Sequence, residues 1–215
     1  MGFDYDTAPE RWRSIDRSTQ LVGDVHEPVA RRIVDEGLTP VIDVGGGEGE
    51  LVRHLPEGWP VTVIDLSMTM LAVARHPKVR GRAEQLPIPD GSVGAVTTLW
   101  MLYHLDQPEL AIREAWRTLR PGGLFVASTS ARTDDPELTD GYPPTTFDAE
   151  DAEAIVRRVF DEVTAQHWDD KLTLLQNAAA VERYCVHQSL PPSAAERVTP
   201  PVVLTKRGCV VFARR

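Results

Sequence analysis

The segment Val41-Ile42-Asp43-Val44 runs straight into Gly45-Gly46-Gly47-Glu48-Gly49, and this junction constrains the chain more than any other feature. A short, almost wholly apolar run has the pattern of a strand buried on both faces, as in a parallel sheet. Glycines directly after it let the backbone turn tightly and let a ligand approach without meeting a Cβ. Parallel strands need long crossovers, most often helices. The flanking sequence supplies them. A helix over about His26 to Glu36, with Pro28 in its first turn and Gly37 as its stop, leads into the strand. A short helix around Glu48 to Leu55 follows, then a strand VTVID at 61–65. Ser67 caps a helix ending near Arg75, ahead of Pro77. Val79 to Ala83 reads as a weak strand and Val93 to Leu99 as a strong one. Asp106 and Pro108 open a helix that closes at Pro121-Gly122-Gly123, and Leu124 to Thr129 is the fifth strand. This alternation predicts an α/β fold built on a parallel sheet.

The two ends differ in texture. Thr7-Ala8-Pro9-Glu10 has the form of a capping box, so residues 1–25 are expected to form N-terminal cover helices. Residues 132–147 carry Pro136, Gly141, Pro143 and Pro144 and read as a long loop, expected to be a mobile cover. Asp148 is expected to cap an amphipathic helix bearing Ala152, Ile155, Val156 and Val159. A strand near Val163 to Trp168 and a helix near Asn177 to Val186 follow, and Val202–Thr205 and Cys209–Ala213 are expected to pair around a turn at Gly208. Nothing marks a second domain. The expectation is one domain over 1–215, with a cofactor-binding half at 38–130 and a substrate-side half at 132–215.

A formal net charge of −9 argues against an extended nucleic-acid partner, which needs a basic stripe. No apolar run approaches the ~20 residues of a membrane span. The acidic, polar start MGFDYDTAPERW is unlike a signal peptide, so a soluble cytoplasmic protein is expected. Cys185 and Cys209 are far apart and read as buried free thiols; neither they nor the six histidines show metal-ligand spacing, so no metal is expected.

Asp65 stands twenty residues past Gly45, at the tip of the second strand, where a carboxylate accepts from both ribose hydroxyls. The dinucleotide fingerprint G-x-G-x-x-G fails, because its sixth position is Glu50 and acids crowd the helix start. No phosphate loop of the G-x-x-x-x-G-K-[ST] type is present. The pattern is D-x-G-x-G-x-G, and its extra carboxylate Asp43 suits a cofactor bearing positive charge. S-adenosylmethionine, with its sulfonium and α-ammonium, is such a cofactor.

VIDVGGGEGEL, VTVIDLS, GRAEQLPIPDGSVGAV, LWMLYHL and AIREAWRTLRPGGLFVAS, in this order over residues 38–130, resemble the successive motifs of the class I S-adenosylmethionine-dependent methyltransferases. The subgroup most resembled is the small-molecule one that includes quinone-biosynthesis enzymes. The resemblance implies a Rossmann-like, seven-stranded, mostly parallel sheet with helices on both faces, a three-layer sandwich with one antiparallel strand near its edge. It also implies that Gly45, Gly46 and Gly47 pass under the methionine part of the cofactor. Asp65 would hold the ribose and Leu66 would pack on the adenine. Ala83 and Glu84, in Arg82-Ala83-Glu84, would line the adenine edge through backbone amides, and Trp100 would touch the cofactor from the other side. Two positions depart from the family. Arg82 replaces a residue that is often Asp and accepts from the adenine amino group, which Arg cannot do. Gly94 replaces a common Asp, which is expected to weaken strand packing.

The function implied is methyl transfer to an O, N or C atom of a small organic acceptor, by a monomer or homodimer. His104 is the candidate general base, with Tyr103 beside it to position an acceptor; a structural role for His104 is the competing reading. Tyr5, Trp12, Tyr142, Trp168 and Tyr184 either form an aromatic acceptor pocket or are scattered core residues. The rival functions are a noncatalytic cofactor-binding protein, a nicotinamide oxidoreductase and a nucleic acid methyltransferase. The last lacks support, since Leu99-Trp100-Met101-Leu102 stands where Asn/Asp-Pro-Pro-Tyr would be.

Overall fold

The computed structural model describes residues 25–74 and 76–215. The capping box at residues 7–10, the cover helices, Tyr5, Trp12 and Arg75 lie outside the described residues. Along the chain run α1 (His26–Asp35), β1 (Val41–Val44), a 3-10 turn (Leu51–His54), β2 (Val61–Asp65), α2 (Met68–Val73), β3 (Lys78–Arg80), β4 (Val93–Leu99), a second 3-10 turn (Leu102–His104) and α3 (Pro108–Thr118). Then follow β5 (Leu119–Ser130), α4 (Ala152–Val156), β6 (Glu162–Leu175), α5 (Ala178–His187), a third 3-10 turn (Pro192–Arg197) and β7 (Val202–Arg214).

One seven-stranded sheet in the order β3-β2-β1-β4-β5-β7-β6 carries the fold. β1 is parallel to both neighbours, with Asp43 facing Val63 on one side and Thr97 on the other. β7 alone runs against its neighbours, pairing β5 over Leu124↔Arg214 to Ser130↔Gly208. Side chains alternate between the two faces, so each face grows its own core. On one, Ile42, Val96, Phe125 and Val211 meet Ile112 of α3 and Val156 of α4. On the other, Val41, Val63, Ala95 and Val126 meet Ile33 of α1 and Leu51. This is the expected three-layer sandwich.

Local signals placed most boundaries. Gly37 takes φ +62 after α1, the Ser67 hydroxyl accepts from the Met70 amide at 3.2 Å, and the Asn177 side chain accepts from the Ala180 amide at 3.0 Å. Four expectations need correction. The segment expected to be a helix around Glu48 to Leu55 forms only a 3-10 turn. α3 ends at Thr118 rather than at the glycines, because Leu119 already pairs with Val93 in β5. Asp148 does not cap α4; Asp151 precedes that helix, while the Asp148 carboxylate accepts from the Thr145 amide at 2.9 Å and the Thr145 hydroxyl at 2.5 Å. Val202–Thr205 and Cys209–Ala213 are one unbroken strand, not a hairpin. Gly208 is inside it because the Trp168 ring crosses there: a Cβ would stand 2.3 Å from Trp168 Cζ2. Gly94 sits where the β4–β5 register shifts, between Val93 and Ala95. A Cβ there would lie 2.6 Å from the Thr39 backbone nitrogen, so only glycine admits that segment.

β6 and β7 outrun the sheet. Among the described residues Lys171–Leu175 and Val202–Thr205 pair only with each other, and this arm packs Leu175 and Leu204 against Leu138 and Val181 in a third small core.

Candidate functional site

Successive crossovers run outward in opposite directions from β1 and β4, which are adjacent. The crevice beyond the carboxyl ends of two such strands is where open α/β folds bind ligands. Here it is bounded by the glycine turn after β1 and by Trp100–His104 after β4.

Each glycine of the turn meets a different obstacle. Gly45 has φ +68, and its Cβ would lie 2.8 Å from Met101 Cβ. Gly47 has φ +53, and its Cβ would lie 2.8 Å from Met70 Cε. At Gly46 a Cβ would be 2.2 Å from Asp43 Oδ2. Asp43 has nowhere to retreat: it is 2% exposed, and the Thr97 hydroxyl donates to its Oδ1 at 2.7 Å. Burial pushes this carboxyl up to about 6, against the Thr97 hydrogen bond and the His26 charge, which favour ionisation. The turn therefore rests on a fixed, desolvated acid.

Asp65 ties β2 to that turn. Its Oδ2 accepts from the Gly47 amide at 3.0 Å and its Oδ1 from the Ser67 amide at 2.8 Å. It thus has the local capping contact and the reach to the glycine turn together. Leu66 follows it, 52% exposed, and Met68 is equally open. Leu66 O accepts from Arg80 Nε at 3.1 Å, which orients that corner.

Arg82, Ala83 and Glu84 lie beyond the short β3, just past Gly81, whose amide donates to Asp65 O at 3.1 Å. Arg82 turns to Glu84 at 3.1 Å, and Ala83 is buried. Two residues that sequence reasoning missed fasten this loop to α3. Glu114 accepts from the Leu86 amide at 2.8 Å, and Arg117 donates to Leu86 O at 3.1 Å and Ile88 O at 2.8 Å. The Arg117 guanidinium also holds the Glu114 carboxyl below the usual carboxylate range. Their i,i+3 spacing on a helix was the available signal.

Past β4, Trp100 takes φ +58, and its amide donates to Ser128 O at 3.2 Å. Its ring is edge-to-face with Trp168, centroids 5.9 Å apart. Met101, absent from the sequence expectations, is the residue against Gly45. Tyr103 and His104 lie in contact within the 3-10 turn, ring centroids 4.4 Å apart and planes tilted by 56°. Burial drives the His104 imidazole down to about 4, so it is neutral near pH 7 but weakly basic.

Tyr142 and Tyr184 do not join an aromatic pocket. Both donate to Asp135, at 2.7 and 2.9 Å, and Lys206 Nζ donates to Asp135 at 2.9 Å and Tyr184 at 2.8 Å. Asp135 is fully buried with φ +53, and Lys206 also pairs with Asp134. This network pins 132–147, the loop expected to be mobile, to the arm. No group of His, Cys, Asp or Glu among the described residues is arranged to hold a metal. Cys185 and Cys209 are free and buried as expected.

Residues 42–127 match the family described as a methyltransferase domain. The chain is 37% identical to the ubiquinone/menaquinone biosynthesis C-methyltransferase UbiE of Methylobacterium nodulans, over 50% of this chain and 48% of that one. It thus spans about half the length of the curated relatives it matches. Among solved structures, the [4+2]-cyclase SpnF shares the fold at TM-score 0.66 and 19% identity, over 98% of this chain and 94% of that one. A SAM-dependent methyltransferase from Archaeoglobus fulgidus does so at 0.59 and 16%, over 88% and 94%. The segment matched to the methyltransferase-domain family is the one that holds the glycine turn, Asp65 and the β4 edge.

Proposed function

We propose that this chain binds S-adenosylmethionine across Gly45–Gly47 and Asp65 and methylates an O, N or C atom of a small organic acceptor in a biosynthetic route. The observation that carries this reading is a glycine turn with no room for a Cβ, laid on the buried acid Asp43 and tethered to Asp65. These residues fit the cofactor. Asp65 is oriented by the Gly47 and Ser67 amides at the tip of β2, where a carboxylate is the acceptor that ribose hydroxyls need. The exposed side chains of Leu66 and Met68 offer an apolar cover for an adenine ring. Glu84, two residues past Arg82, supplies the acceptor that Arg82 cannot. Asp43 gives the turn a negative potential suited to a cationic group.

The cofactor, when bound, supplies a methyl group on a good leaving group. What the chain contributes is alignment, which supplies roughly 7–11 kcal/mol of such a barrier when both reactants are held in register. His104 is ill-suited as a base at neutral pH, because a base works best with a pKa near the working pH. We assign it to holding the β4 turn, with Tyr103 facing the acceptor side. The net charge of −9 and the relatives' role in quinone biosynthesis support a small acceptor over nucleic acid. The fold shared with a protein named a cyclase makes a product assay necessary. Incubation with methyl-labelled S-adenosylmethionine and a panel of phenols, amines and quinols, read by mass spectrometry, is expected to give S-adenosylhomocysteine and a labelled acceptor. Cofactor binding with no labelled product across the panel would favour the noncatalytic reading.

A further inference from the structure

Trp168 belongs to none of the cofactor motifs, yet it reaches the cofactor edge. It is carried on β6, the outermost strand, and its ring crosses Gly208 of β7 to meet Trp100 at the end of β4. That path depends on glycine, since any Cβ at 208 would overlap the ring. Trp100 reaches its side of the contact from a left-handed backbone, a conformation unfavourable for a residue with a Cβ. Its chain neighbour Met101 touches Gly45. Both rings are half-buried, unlike the fully buried aromatics Phe125, Phe147 and Phe160 that fill the core.

From this juxtaposition we infer that Trp100 and Trp168 form the acceptor wall of the site, with Trp168 the positioning residue that selects flat, conjugated acceptors. The inference rests on the methyltransferase reading and adds the substrate class to it. Trp100 fixes the wall beside the glycine turn. Trp168, held at 69° to it, makes a corner with one ring face and one ring edge. An aromatic acceptor is held by both, face on one ring and edge against the other, whereas a puckered aliphatic ring fits neither.

The test uses the full chain labelled with 5-fluorotryptophan and saturated with S-adenosylhomocysteine. 2-Naphthol and decahydro-2-naphthol are the probes, since they share a hydroxyl and a carbon skeleton and differ in flatness. In fluorine NMR, 2-naphthol is expected to shift the Trp100 and Trp168 resonances. It should leave unmoved Trp116, which lies under Arg215, and Trp59, which precedes β2. 2-Naphthol should bind about ten-fold tighter than the decahydro compound. Trp168→Leu should erase that preference and Trp168→Phe restore most of it, with S-adenosylhomocysteine affinity changed less than two-fold in both. Equal binding of the two probes, a preference that survives Trp168→Leu, or shifts confined to Trp59 and Trp116 would overturn the inference and leave the cofactor reading standing. Failure of the unmutated chain to bind S-adenosylhomocysteine would instead remove the methyltransferase reading and this inference with it.

Discussion

At the scale of single residues, Gly46 and Asp43 are the tightest coupling in the site. Gly46→Ala puts a methyl 2.2 Å from a carboxylate oxygen that is buried and held by Thr97. The turn, being the more exposed partner, has to move. Calorimetry is expected to show cofactor affinity lost at least ten-fold, with far-UV circular dichroism unchanged. Affinity within two-fold of the parent would show that the turn does not contact the ligand. Asp43 itself trades stability for this position. Its folded-state carboxyl is raised to about 6 from an ordinary 3.8, so its contribution is full below 3.8 and is lost as pH rises through 6. Asp43→Asn mimics the protonated form, so the Tm difference in favour of the variant should grow between pH 4 and 7. A difference constant with pH would contradict the buried-acid account. His104 has the opposite sign. It is lowered to about 4 from 6.5, so its neutral form contributes fully above 6.5 and that stability is lost as pH falls through 4. As a structural histidine, His104→Ala should lower Tm and cut turnover by less than ten-fold, where a required base would cost ~10²–10⁴-fold. A loss in that larger range with cofactor affinity intact would restore it as the base.

At the scale of elements, the 132–147 loop shows where sequence reading stops. Its prolines and Gly141 are visible in the sequence and predict a loop correctly. What holds the loop is not visible, because its Asp135 and Tyr142 meet Tyr184 of α5 and Lys206 of β7, each more than forty residues away along the chain. The same limit explains Gly208. A glycine between apolar runs looks like a turn until the ring that crosses it comes into view. By contrast β1, β2, β4 and the cap at Ser67 depend on neighbouring residues, and were legible. The meeting of Gly45–Gly47 with Asp65 at the β1 and β2 tips was legible too, since it follows from local spacing. Met101, Glu114 and Arg117 were not, because their partners lie in other crossovers. The pinned loop gives its own prediction. Lys206→Met leaves Asp134 and Asp135 buried without their cation, which costs on the order of 3–5 kcal/mol. Amides such as Leu138 and Thr139 should exchange slowly without any ligand in the parent and quickly in the variant. Fast exchange in the unliganded parent would return the loop to a mobile cover.

At the scale of the molecule, the sheet order places every cofactor candidate on one edge. β1, β2 and β4 are neighbours there, and the early end of β3 brings Ala83 and Glu84 to the same side. The antiparallel β7 then lets β6 send Trp168 back to that edge from the far side of the sheet. Calorimetric titration with S-adenosylhomocysteine tests whether this edge binds the cofactor, as we propose. Micromolar-class binding by the parent is expected, weakened by about 1.5–3 kcal/mol in Asp65→Ala through loss of hydrogen bonds to a charged group. No binding, binding indifferent to Asp65, or tighter binding of a nicotinamide dinucleotide would contradict it.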